Sequence, residues 1–425
     1  MRTVFLCSLL LVAMVAGAQR ECASTQYRTE QRVRNKTLQQ QTAAIESFIQ
    51  KHLPASTTNG TAKMPTGIIR IPIVVHILES GSSTISDDRV RDQIAALNRD
   101  FRKRNADTSK IPDHFKRLAA DIEIEFALAT ADPKGRATTG IIRKKTDVKQ
   151  WDLDDKIKFA SSGGSNAWDP KSYLNIWVGP MSRVLGYASE PGGPLEEDGV
   201  VINPSAFGTK GATAPFNLGR TATHEVGHWL GLIHIWGDEY CGDDLISDTP
   251  PQTIYTAGCP SGVRLGCDKD PGGTMYMNYM DFANDACMNL FTIGQKNRMR
   301  SLFAGGGFRE SLIYSKGLNA PWSTETDTPE EEEEKEENVK QPAPPVMTAS
   351  TKVYPNPVFN ELVLQVDASW IGHELQLLNM NGLIIQRIRI TTREQKIALG
   401  TLLKGVYFLK AQNADQRINE KIMKL

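Results

Sequence analysis

Apolar and polar positions change rhythm along the chain, and each change marks a boundary. Val4 to Val15 is an almost unbroken apolar run, preceded by Arg2 and followed by the small residues Ala16-Gly17-Ala18. A positive start, an apolar run and a small-residue cleavage site read as a secretory signal peptide over residues 1–18. The run is too short to span a bilayer, and no later stretch is long and apolar enough to do so. Residues 19–66 are polar, with a helix predicted over Leu38 to Leu53 and an exposed linker over Pro54 to Thr66. That arrangement suits a propeptide. The alternative is a solvated N-terminal tail.

A globular pattern begins at Gly67 and is assigned to residues 67–320. Ile68 to Leu78 (IIRIPIVVHIL) is nearly continuous in β-favouring apolar residues, as a strand buried on both faces should be. Val90, Ile94, Leu97 and Phe101 recur with helical period behind a capping Ser86. Ile122 to Ala129, Tyr173 to Val178 and Leu185 to Ala188 read as further strands, and residues 292–303 as a closing helix. Such strands with helices packed on them give an α+β fold built on a twisted mixed sheet.

Residues 321–350 form a linker. Glu330 to Glu337 is a charge run and Gln341 to Pro345 is proline-rich, so the segment is expected to be extended. Residues 351–425 carry short strands at Leu362 to Val366, Leu375 to Leu378, Leu383 to Ile390, Ile397 to Leu399 and Val406 to Leu409. Val353 to Pro357 is rich in turn residues and Asn381-Gly382 is a hairpin signal. Short strands with regular turns predict a small C-terminal β-sandwich.

Composition narrows the picture a little. A chain of 425 residues exceeds what one core supports. With 49 basic and 49 acidic residues, no net charge argues for nucleic acid or an anionic membrane. Six cysteines are present, and Cys241, Cys259, Cys267 and Cys287 fall within one short region. An exported chain would pair these four and leave Cys22 odd.

The candidate chemistry sits at His224-Glu225-Val226-Gly227-His228-Trp229-Leu230-Gly231-Leu232-Ile233-His234. Four residues apart, His224 and His228 project from one helix face and can grip one metal ion. Glu225 follows the first ligand, where its carboxylate can reach water at the metal without binding the ion. Gly231 lets the backbone leave the helix with positive φ, so that His234 can return as a third ligand. Three neutral nitrogens and one open position describe catalytic zinc. The alternative, a helix with ordinary surface histidines, has to place three of seven histidines in one window by chance. Beyond His234, the loop holding Asp244, Ser247 and Thr249 is dense in oxygen ligands, which suits calcium. A solvated acidic turn is the alternative there.

Over about residues 67–305 the chain resembles the pappalysin family of metzincin metallopeptidases. The zinc motif, Leu174 to Val178, Leu185-Gly186-Tyr187-Ala188, Met280 and Cys287-Met288-Asn289 carry the resemblance. It implies a metzincin-like catalytic domain with Met280 as a methionine turn beneath the metal. It implies disulfides Cys241–Cys267 and Cys259–Cys287, and calcium near Asp244, Ser247 and Thr249. The family has tyrosine two residues after the methionine, where this chain has Phe282. Arginine-selective members have aspartate just before the last cysteine; here that residue is Ala286, with Asp285 one place earlier. The resemblance also implies that a propeptide cysteine, matched by Cys22, is the zinc ligand of the latent form. Tyr354-Pro355-Asn356-Pro357, Gly405-Val406-Tyr407 and Lys421 to Leu425 resemble a type IX secretion sorting domain.

These features together imply a secreted zinc endopeptidase, made as a latent zymogen and monomeric, with Glu225 as general base. Its expected partners are protein or peptide substrates, which pair along Leu185 to Ala188 with Ala286 in the pocket for the residue after the cut, and the outer-membrane secretion machinery. The alternatives are a non-catalytic adhesin that keeps the fold and a hydrolase of non-protein amides.

Overall fold

β1 (Ile69–Glu79) organises the first of two bodies in the chain, and its residues from Ile71 to Leu78 are all buried. In this computed structural model the described residues are 22–34, 36–53, 64–81, 85–268, 270–321, 347–348, 351–379, 384–400, 402, 404–413 and 416–425. The signal peptide, most of the linkers and the Asn381-Gly382 turn lie outside them. The bodies are Met1–Thr328 and Pro329–Leu425.

In the first body α1 (Ser24–Arg34) and α2 (Lys36–His52) precede β1, followed by α3 (Asp87–Phe101) and the single-turn α4 (Asp113–Lys116). Then come β2 (Ile124–Leu128), β3 (Ile141–Lys145), β4 (Leu174–Val178), β5 (Gly186–Ala188), β6 (Val200–Ile202), α5 (Arg220–Trp229) and α6 (Ile293–Ser301). The sheet runs β2-β1-β4-β6-β5, with β3 also on β1. β1 pairs in parallel with β2 through its first half, with β3 through its second half, and with β4 on its other side. Such a strand is shielded on both faces, which is why its apolar run is unbroken. β5 alone is antiparallel to its neighbour and closes the path as an edge. β3 and β6 escape sequence reading for different reasons. β3 reads Ile-Ile-Arg-Lys-Lys with no buried residue, and β6 has three residues, too few to show a period.

α3 is capped by Ser86, whose side chain accepts from Arg89 N, and it buries Val90, Ile94, Leu97 and Phe101. These join Ile71, Ile73, Val226, Trp229 and Met280 in the main core. Ile45 and Ile49 of α2 belong to that same core. Fully burying one such isoleucine contributes about 1.5–3 kcal/mol. Glu46 of α2 grips Arg298 of α6 through both oxygens, at 2.9 and 2.6 Å. α2 is therefore docked on the body and is not part of a solvated tail.

The second body has two sheets. One runs β11 (Ile384–Arg389), β10 (Glu374–Asn379), β13 (Gly405–Gln412), β14 (Gln416–Lys424), β7 (Met347–Thr348); the other runs β12 (Glu394–Ala398), β9 (Glu361–Gln365), β8 (Lys352–Tyr354). Leu362, Leu364 and Ile397 from one sheet and Leu375, Leu377, Leu409 and Ile422 from the other share a core with Trp370. That is the sandwich expected from alternating inward positions. β8 and β14 were not anticipated. β8 falls in the stretch read as turn-rich, and β14 (QRINEKIMK) is mostly polar. Among the described residues, no helix is long and apolar enough to cross a membrane.

Candidate metal centre and active site

α5 carries the first two histidines, and its two ends are pinned from outside. Gly219 at its start has no side chain to cap the helix. Asp285 does this instead, accepting from Leu218 N at 2.7 Å and Arg220 N at 3.3 Å. Arg220 is held by Asp107 at 2.6 and 2.8 Å. At the far end Trp229 Nε1 donates to Asp198 at 3.0 Å, and the Arg309 guanidinium covers the indole at 3.9 Å. Asp100 of α3 accepts from Thr223 Oγ1 and Tyr279 OH at 2.8 and 2.9 Å, tying α5 to the segment holding Met280.

The chain then leaves the helix as expected. Leu230 N and Leu232 N both donate to Gly227 O, at 3.1 and 3.0 Å, and Gly231 has φ +81. This left-handed stop turns the backbone so that His234 comes back over α5. Met280 packs beneath. A Cβ on Gly227 would meet its sulfur at 2.5 Å, so glycine at that position is what lets the methionine close up.

The Nε2 atoms of His224, His228 and His234 meet at 3.1 to 3.3 Å from one another. Their Nδ1 atoms point outward. That of His224 lies 2.7 Å from Tyr279 O, that of His228 2.9 Å from Leu232 O, and that of His234 is bonded to Asp238. A carbonyl only accepts, so His224 and His228 carry the proton on Nδ1 and present a bare Nε2 lone pair inward. Converging lone pairs at such distances repel unless a cation sits among them. The donor set therefore fits a zinc ion, with Asp238 and the two carbonyls orienting the rings. Burial holds His228 and His234 below the ordinary histidine value, with the neighbouring His234 adding to the effect on His228.

Residues 22–28 occupy the same place from the other side. Cys22 Sγ and the three imidazoles lie within 4.8 Å of one another. Cys22 bridges to Gly186 in parallel, and Ala23 N donates to Gly186 O at 3.1 Å, so this segment covers the free edge of β5. Ser24 Oγ accepts from Ala188 N at 3.0 Å and donates to Glu225 Oε2 at 2.8 Å. Thr25 Oγ1 lies 3.2 Å from His234 Nδ1. Arg28 spans Glu190 at 3.1 Å and Asp238 at 2.5 Å. Without a cation, burial and then the charge of Glu225 push the Cys22 thiol well above its ordinary value. A metal ion reverses that sign and favours thiolate.

The remaining candidates fall at different distances from this centre. The Phe282 ring lies 4.9 Å from His234, 4.8 Å from Trp236 and 5.3 Å from Tyr255, centroid to centroid. Gly186, Tyr187 and Ala188 form the edge strand, while Leu185 precedes it and accepts from Asn203 N. Ala286 is exposed, and Asp285 is fully buried in its capping role. Cys241 is bonded to Cys267 and Cys259 to Cys287, and Cys22 is free. Thr249 Oγ1 donates to Asp244 Oδ1 at 2.7 Å, and Ser247 is exposed. Asp244 Oδ2 is buried with no partner among the described residues, and burial pushes this carboxyl up to about 7.

Four residues at the site escaped sequence reading. Asp238 had a signal, being an acidic residue one helical turn past His234. Ser24, Thr25 and Arg28 had none, since each is a polar residue in a polar segment.

Residues 160–304 match the pregnancy-associated plasma protein-A family of M43 peptidases. An extracellular metalloprotease of Pyricularia oryzae is 32% identical over 267 residues, covering 59% of this chain and 80% of the relative. Mature mirolysin of Tannerella forsythia, solved in complex with a cleaved peptide, is 47% identical with TM-score 0.57, covering 59% of this chain and 97% of that one. The promirolysin mutant E225A of the same organism is 43% identical with TM-score 0.65, covering 71% and 100%.

The chain belongs to the M43 peptidases, the pappalysins. It is a zinc metalloendopeptidase with a metzincin fold, which sets aside the adhesin and the hydrolase of other amides. Residues 352–425 match the secretion system C-terminal sorting domain, so this pappalysin is an exported one.

Proposed function

We propose that His224, His228 and His234 hold the zinc of this pappalysin, and that Glu225 is its general base. The observation that carries this reading is the convergence of three Nε2 lone pairs beside the Glu225 carboxylate. When bound there, zinc supplies a Lewis acid that acidifies water and polarises a carbonyl. Glu225 Oε2 takes the proton of the attacking water and later delivers it to the leaving amine nitrogen. An extended peptide pairs along the β5 edge, where backbone groups of Gly186 and Ala188 are offered to a partner strand.

Residues 19–66 act as a propeptide that makes the enzyme latent. Cys22 is the fourth zinc ligand of that form, and Ser24 holds the oxygen on which Glu225 receives its proton. Cleavage between Pro54 and Arg70 releases both. The catalytic domain spans residues 67–320, Met280 supports the metal from below, and residues 321–350 link it to the sorting domain at 351–425. That domain engages the outer-membrane secretion machinery, and the signal peptide at 1–18 directs the earlier export step. Calcium binds near Asp244, Ser247 and Thr249, a reading supported by the orphaned Asp244 Oδ2. The mature protein acts as a monomer.

The test is casein hydrolysis by the processed protein, with and without chelator. Hydrolysis that stops with chelator and returns with zinc is expected. A processed protein that hydrolyses nothing, or one that chelation leaves unaffected, refutes the reading.

A further inference from the structure

Tyr27 of the pro-segment fills a slot whose walls come from the catalytic domain and whose polar end is closed by Gln31 of α1. Its ring lies 4.7 Å from that of Tyr187, centroid to centroid, and is 3% exposed. The Lys158 ammonium lies 5.0 Å from the Tyr27 ring, 4.9 Å from Tyr187 and 5.5 Å from Trp177. Lys158 also donates to Tyr27 OH at 3.3 Å, and is fully buried in an ion pair with Asp155 at 2.8 Å. Gln31 of α1 closes the polar end, donating to Tyr27 OH, Asp155 and Glu197 at 3.1, 2.8 and 3.0 Å. Lys158 also donates to Glu197 O at 2.7 Å, and with Tyr27 withdrawn this paired ammonium still lies against the faces of Tyr187 and Trp177, which line the slot.

Strand register ties this slot to the substrate. Cys22 lies opposite Gly186, which places Ala23 opposite Tyr187. Ala23 is too small to cover the tyrosine, and the pro-segment turns helical there, Tyr27 N bonding Ala23 O at 2.7 Å. Ala23 and Tyr27 thus fill together what one larger side chain could fill from an extended chain. In a paired strand, the residue opposite Tyr187 projects on the same face, with Cβ atoms roughly 4.5–5.5 Å apart. An extended substrate on β5 therefore sends that side chain into the slot, one position from the residue opposite Gly186.

We propose that this slot is a specificity subsite of the mature enzyme, taking an aromatic side chain of the peptide substrate and preferring tyrosine to phenylalanine. Stacking on Tyr187 and the face of Lys158 select the ring. The phenol is distinguished by Lys158 as donor and by Asp155 and Glu197 as acceptors, which Gln31 vacates on release of the pro-segment. The inference rests on the peptidase reading above.

The test uses the activated chain and its Glu225→Ala form. Peptides carry tyrosine, phenylalanine or alanine in turn at each of four positions on either side of the cut. At one position, kcat/KM for tyrosine is expected to exceed that for alanine by about tenfold or more, with phenylalanine between, as for a well-filled aromatic pocket. Tyr187→Leu should bring the tyrosine-to-alanine ratio close to unity, and Lys158→Met should narrow the tyrosine-to-phenylalanine ratio. Because Lys158 is buried in an ion pair, Tyr187→Leu carries the test if Lys158→Met does not fold. Absence of any aromatic preference, or a preference that survives Tyr187→Leu, overturns the proposal. Binding of the intact peptides to Glu225→Ala separates the two readings. Cleavage without preference keeps the peptidase and removes the subsite. Tyr187-dependent binding without cleavage in the parent protein keeps the subsite and removes the peptidase.

Discussion

Ser24 Oγ donates to Glu225 Oε2 at 2.8 Å, so the segment that brings Cys22 to the histidines also occupies the carboxylate between them and β5. Latency on this account has two parts that act on different groups. A hydrogen bond to a charged partner is worth about 1.5–3 kcal/mol, or roughly 10- to 100-fold in the open fraction.

The unprocessed chain should therefore respond to both residues. Cys22→Ala is expected to raise its casein hydrolysis above the parent, and Cys22→Ala with Ser24→Ala to raise it further by roughly tenfold or more. Rates are compared before any cleavage between Pro54 and Arg70 is visible on a gel. If both variants stay as inactive as the parent, latency comes from the docking of α2 and the Arg28 ion pairs instead.

Phe282 concerns rate. Its ring packs between His234, Trp236 and Tyr255 beside the metal centre, and phenylalanine offers no donor to a developing oxyanion. Loss of one such donor typically lowers turnover by about 10²–10³. Phe282→Tyr is expected to raise kcat with little change in melting temperature. An unchanged or lower kcat would mean that another group already fills the role.

His76 sets an acid limit on stability. It is fully buried in β1 between Ser165 and Asn175, at 2.8 and 3.0 Å. Burial lowers it to about 4, with the Asn175 hydrogen bond opposing the shift only in part. The unfolded chain takes up this proton near 6.5, so the folded state loses stability as pH falls from about 6.5 to about 4. The loss amounts to about 3 kcal/mol from this group. Urea unfolding of the parent and His76→Gln at pH 7 and pH 4.5 checks it. The variant should lose less stability between the two pH values, and equal losses would contradict the assignment.

The histidines and Glu225 were legible because a helix fixes their geometry: spacing alone puts His224 and His228 on one face. Gly231 was legible for the same kind of reason, since a helix that must end and turn back favours positive φ. The β1 run was legible because a strand buried on both faces must be apolar throughout. Ser24 and Tyr27 were not, because their roles depend on where a separate segment docks, and local pattern carries no trace of that. Asp285 was hidden for the same reason: it stands one place from the position that holds aspartate in arginine-selective relatives, and only the tertiary structure shows that it caps α5. Lys158 was equally hidden, since a lysine in a loop reads as solvated.

The most direct test of the account is metal content together with hydrolysis in two variants of the activated chain. Glu225 touches the metal site without being one of its three nitrogens, so Glu225→Ala should keep close to one zinc per chain and lose casein hydrolysis. His228→Ala removes a ligand and should lose both. Hydrolysis by Glu225→Ala at the parent's rate, or a full complement of zinc in His228→Ala, would contradict the assignment of the centre.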